Sequence, residues 1–171
     1  MSDELESILV GTIGLDIIAL VALALTVARG SGGSKERARP DVVQLGVLTL
    51  ALQSIHFAEE LATDFHQRFP ALRGLHPWSA ESFATLNLSW IAVWILSIVG
   101  VRRGFHAALF PVWFLGLASA VNSIAHPVMS IRAAGYFPGL WTAIPVGVAG
   151  AVLLRNLNRL TESRAANRGA A

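Results

Sequence analysis

Cysteine is absent from the 171-residue chain, which excludes disulfides, thiolate catalysis and Cys-ligated zinc or iron–sulfur clusters. Charge is scarce. Asp, Glu, Lys and Arg make up 14% of the residues, against roughly 25% in an average soluble domain. The net charge of +2 is not the excess of a nucleic-acid binder, and no nucleic-acid partner is expected. A phosphate-binding loop is also missing, because the glycines of Gly30–Gly33 have neither a preceding strand nor a Walker lysine. Ser123 and His126 are near in sequence but carry no nucleophile elbow. No internal repeat is evident, which weighs against an inverted-repeat transporter. What remains is apolar: hydrophobic residues reach 54% and the mean hydropathy is +0.57. That composition excludes disorder and an ordinary water-soluble enzyme.

A hydrocarbon core of about 30 Å needs roughly 20 apolar residues in helical form. The chain supplies such a stretch five times, at about 8–28, 42–63, 83–101, 107–131 and 137–154. The expected fold is therefore all-α, an integral membrane bundle of five helices in one domain. Residues 29–40 are expected to form a cytoplasmic linker and 160–171 a flexible tail. The first stretch is too long for a cleavable signal and has Asp3, Glu4 and Glu6 where a signal carries basic residues. If alternate connectors share a side, ten basic residues fall on one side and three on the other. The positive-inside rule then places the N-terminus outside and the C-terminus in the cytoplasm of a multi-pass inner-membrane protein.

That topology gathers the costly polar side chains at one depth. His56, Glu59 and Glu60 stand at i, i+3 and i+4, with Gln53 one turn before them, so they share a helical face. Asn122 and His126 stand at i and i+4 on a later span. A charged side chain at a helix centre costs roughly 2.5–3.5 kcal/mol on insertion scales, so these groups are expected to face one another in a common pocket. Asn87, Trp90 and Trp141 lie at the same depth and are candidate pocket walls. Asp16 either completes the site or pairs with Arg132. His66, His76 and His106 read as solvated or interfacial residues.

HFAEE (His56–Glu60) matches the name-giving motif of the bacterial HXXEE-domain family. NSIAH (Asn122–His126) and the YFPG turn (Tyr136–Gly139) resemble that family's downstream Asn-xxx-His and Tyr-x-Pro-Gly features. The resemblance runs from about Gln44 to Leu154. It implies a small, multi-helical membrane protein but no defined reaction, and it favours aiming the Tyr136 hydroxyl at the pocket.

Three chemistries fit such a pocket. His56, Glu60 and His126 could ligate Zn, Fe or Mn and leave a position open for water or substrate. Alternatively, without metal, Glu59 and Glu60 could share a proton with an imidazole, as isomerisation or cyclisation of a lipid-soluble molecule requires. A non-catalytic protein binding metal, lipid or protons is the third reading. On the enzyme readings His56, Glu59, Glu60, Asn122, His126 and Tyr136 are catalytic. Asp16, Gln53, Asn87, Trp90 and Trp141 then form the substrate pocket. The expected partners are membrane lipid and a hydrophobic or amphiphilic small molecule, and a homo-oligomer is compatible with the sequence.

Overall fold

The computed structural model describes residues 2–31 and 39–163. Within them the chain is all-α apart from one ribbon. Its helices are α1 (Asp3–Ala28), α2 (Arg39–Ala62), α3 (Phe65–Ala71), α4 (Ala80–Arg102), α5 (Leu109–Arg132) and α6 (Leu140–Leu160), and a 3-10 turn at His106–Ala108 leads into α5. Five of them, all but α3, are long and apolar enough to cross a membrane.

Several helices begin before their apolar stretch does, because capped polar turns extend them. Ser2 Oγ accepts from the Leu5 N–H at the start of α1, where Asp3, Glu4 and Glu6 complement the helix dipole. Ser79 Oγ accepts from the Ser82 N–H and starts α4 at Ala80. α5 runs on through Pro127 to Arg132, so the proline beside His126 does not end the helix.

α3 was not expected. Asp64, at φ 63°, breaks the chain between α2 and α3, and seven residues are too few to reveal a helical period. His66, read from the sequence as solvated or interfacial, is buried on α3 and packs beside Phe83. The described ends of the linker and tail are paired with each other. Arg29–Ser31 (β1) pairs antiparallel with Thr161–Ser163 (β2), tying the end of α1 to the end of α6. His106 Nε2 donates to the Arg29 carbonyl there at 3.0 Å. The remainder of both segments, 32–38 and 164–171, lies outside the described residues.

Packing is closest between α5 and α6. A Cβ placed on Gly147 would stand 2.2 Å from Ser123 Cβ, and one on Gly150 would stand 2.7 Å from Ser119 Cβ. Small residues on both helices let the backbones approach, as membrane helices commonly do. α2 lies against α6 and α4, while α1 packs along α5 and has little contact with α4. α1 is instead fastened at its N-terminal end. Trp78 Nε1 donates to Ser7 Oγ at 2.9 Å, Ser7 Oγ donates to the His76 carbonyl at 2.6 Å, and the Ser79 N–H donates to Glu4 Oε1 at 2.7 Å.

Candidate functional site

The α5–α6 corner determines the site. Gly139 adopts φ +83°, a left-handed conformation that glycine tolerates without strain. This turn lays the buried residues Phe137, Pro138 and Gly139 across the end of the bundle at which α2 terminates. The Pro138 carbonyl accepts from His126 Nδ1 at 2.7 Å. There is no room for a side chain at the turn: a Cβ on Gly139 would stand 2.6 Å from His126 Cε1 and 2.8 Å from His56 Cε1. Arg68 braces the corner from outside, donating to the Tyr136 carbonyl at 3.0 Å and covering the Phe137 ring.

The two adjacent glutamates serve different partners. Glu59 caps α6 from another helix. Its oxygens accept from the Trp141 N–H (3.2 Å), the Thr142 N–H (2.9 Å), the Tyr136 hydroxyl (2.6 Å) and the Thr142 hydroxyl. A carboxylate at a helix N-terminus satisfies otherwise unpaired N–H groups and complements the dipole. Tyr136 lies outside the spans. Burial and its bond to Glu59 both raise its pKa, so it remains a donor. Glu60 turns away from Glu59, since neighbours on a helix do not face each other. Its Oε1 lies 3.5 Å from His56 Nε2 and 3.4 Å from His126 Nε2. Glu59 and Glu60, read from the sequence as able to share a proton with an imidazole, thus have different partners, and only Glu60 lies against the imidazoles.

The tautomers of both histidines follow from counting hydrogens. His126 Nδ1 faces a carbonyl and must carry its proton. Thr142 has a single hydroxyl hydrogen, committed to Glu59. Its oxygen can then only accept from His56 Nδ1, at 2.8 Å. Each neutral ring so arranged presents a bare Nε2 lone pair to Glu60. His56 Nε2 is buried without a hydrogen-bond partner. His56, His126 and Glu60 are 0%, 2% and 5% exposed, and one ligand atom from each lies within 4.8 Å of the others.

A cavity of about 470 Å³ opens beside this cluster. Gln53, Asn87, Trp90 and Asn122 are among its walls, together with Glu60 and His126. Gln53 is itself held by Ser119, whose hydroxyl donates to Gln53 Oε1 at 2.9 Å. Two sequence candidates fall elsewhere. Asp16 is exposed on α1 and does not line the cavity, because Gly11, Leu15 and Ile18 occupy that face. Among the described residues no ion pair joins Asp16 to Arg132. The Trp141 ring is 74% exposed and stacks on Tyr136, so only its backbone N–H serves the site.

Thr142, Pro138 and Gly139 hold the cluster but were not singled out as site residues from sequence. The signal for Thr142 was its place in the first turn after the YFPG corner, where a buried helix start needs a capping partner. No curated protein and no solved structure matches the chain. A family model described as a protein of unknown function with an HXXEE motif matches residues 47–154. That match contains His56, Glu59, Glu60, His126 and the whole α5–α6 corner, and the chain belongs to the HXXEE family.

Proposed function

We propose that the protein is a membrane-embedded, metal-dependent enzyme, with His56, Glu60 and His126 as the ligands of one divalent transition-metal ion. The observation that carries this is the donor set. Two imidazole lone pairs and a carboxyl oxygen converge, and neither imidazole offers a hydrogen to the centre. A proton on Glu60 satisfies one Nε2 and leaves the other bare, whereas a metal ion satisfies all three. The spacing agrees. Two ligand atoms about 2.1 Å from a common ion at the tetrahedral angle stand about 3.4 Å apart, and the two Nε2–Oε1 distances are 3.4 and 3.5 Å.

Structural zinc sites are closed by four protein ligands, while catalytic ones keep a position open. Three ligands beside a cavity fit the second kind. The carboxylate–threonine chain from Glu59 to His56 and the carbonyl on His126 are the outer-shell bonds that orient ligating imidazoles. The bound ion would act as a Lewis acid or activate water. Asn122 and Gln53, on the cavity wall, would orient a substrate oxygen.

The test is elemental analysis of detergent-purified wild type beside His126→Ala and Glu60→Gln. Near-stoichiometric Zn, Fe or Mn is expected in the wild type and little in either variant. No bound metal in the wild type, after chelator-free purification and metal supplementation, overturns the proposal.

A further inference from the structure

The cavity extends well beyond the metal-ligand cluster. On α5 it touches residues from Phe114 to Met129, fifteen residue steps and so about 22 Å of helix. Its inner end is apolar, closed by Trp94 and Phe114. Its polar side chains are concentrated in the middle, around Glu60, His126 and Asn122, and its outer rim carries Arg73. Arg73 is exposed and lies over the Phe69 ring, and among the described residues no carboxylate pairs with it. The side wall is incomplete as well. α1 and α4 both line the cavity yet barely touch, and a second cavity, bordered by Ile8, Trp78 and Leu86, lies along the same seam.

We infer that this cavity binds a single-chain anionic amphiphile that enters sideways from the bilayer between α1 and α4. Its carboxylate or phosphate contacts Arg73, its chain lies against Trp90 and Trp94, and the polar junction between head and chain rests beside Glu60 and His126. Each part has its own reason. A guanidinium at the rim provides charge-assisted hydrogen bonds for an anion. An apolar pocket of this volume suits a ligand buried over most of its surface. A seam facing lipid admits a molecule that never has to leave the bilayer. The assignment rests on the proposed enzyme site for which part of the ligand reacts, but binding of the chain does not require the ion.

Bromine quenches indole fluorescence at close range, and Trp90 and Trp94 border the cavity. The purified protein is titrated in detergent with a dibrominated long-chain carboxylate and, separately, with dibrominated lysophosphatidylglycerol. The matching alcohol and lysophosphatidylcholine are the neutral arms. Saturable quenching by an anionic probe at lower concentration than its neutral counterpart is expected, and the tighter of the two anionic probes identifies the source. Arg73→Gln should weaken the anionic probe about tenfold and leave the neutral one unchanged. Gly14→Phe should abolish saturable quenching, since Gly14 lines the cavity and has nothing within 4 Å of where its Cβ would stand. Each titration is run on chelator-stripped and metal-reloaded protein with metal content measured alongside. Quenching without any metal binding refutes the metal centre alone. Equal affinity for neutral and anionic probes, or quenching unchanged in Gly14→Phe, overturns the amphiphile assignment whatever the metal content.

Discussion

The neighbours Glu59 and Glu60 differ in what replacement by glutamine does. The Glu59 carboxylate accepts four hydrogen bonds, three of them from Trp141 and Thr142 at the start of α6. Glu59→Gln puts an amide donor against donors and should cost about 1–3 kcal/mol, seen as a lower midpoint in thermal denaturation in detergent. It should also lower metal affinity about 10- to 100-fold through the misdirected His56. Glu60→Gln should leave the metal-free protein about as stable as the wild type, since a neutral amide replaces a buried acid, while abolishing metal binding. Equal thermal stability of the two variants would contradict this division. Gly139→Ala should act on the ligands without touching them. Its Cβ needs space held by both imidazoles, and a left-handed alanine costs about 1–2 kcal/mol by itself. Metal content should fall while helical circular dichroism persists. At this scale the sequence was legible where polarity is rare. His56, Glu60 and His126 stand out because burying such groups in a bilayer is expensive. It was not legible where the backbone supplies the contact. The Pro138 carbonyl has no side-chain signature, and nothing in the pair Glu59–Glu60 indicates which carboxylate faces α6.

Among the helices, composition and length were enough to find the five candidate spans, because a span must be long and apolar. They were not enough to find α3, whose start depends on a left-handed Asp64, or the β1–β2 ribbon, whose strands pair at a distance of more than a hundred residues. Asp16 misleads for a related reason. A lone acid in an apolar run reads as buried, yet the α1 face that lines the cavity carries Gly11 and Leu15 and leaves Asp16 outside. The α5–α6 pair, in contrast, depends on small residues. Gly150→Leu would drive a branched side chain into Ser119 and the Gly116 carbonyl. Overpacking of this kind typically costs about 1–3 kcal/mol. Because α5 carries His126 and α6 carries Thr142, metal content should fall together with the denaturation midpoint. Full metal retention would mean that the close approach of α5 and α6 does not position the ligands.

For the whole molecule, the unequal ends make orientation testable. Arg68, Arg73 and Arg132 belong to the end that carries His56, Glu60 and His126, while Arg29, Arg39, Arg102, Arg103, Arg155 and Arg159 belong to the ribbon end. By the positive-inside rule the ribbon end is expected to face the cytoplasm. A chain without cysteine allows single introduced thiols as probes. A cysteine at the exposed position Ala71 should react with an impermeant reagent added outside intact cells, and one at the exposed position Phe105 only after the membrane is opened. The reverse pattern would invert the topology.

The split origin of the proposed ligands also has a consequence for biosynthesis. His56, Glu59 and Glu60 leave the ribosome well before His126, Thr142 and the corner that receives them. Until then α2, the least apolar of the five candidate spans, would have to hold its acids in lipid without partners, at a cost of several kcal/mol. α2 should therefore integrate poorly on its own and settle only when the α5–α6 hairpin arrives. A segment carrying α2 without α1 or α4 should be extractable by alkali, whereas in the whole chain α2 should resist. The last hairpin would then act as an intramolecular insertase for the second helix, and the nascent chain could acquire its ion only after synthesis is nearly complete.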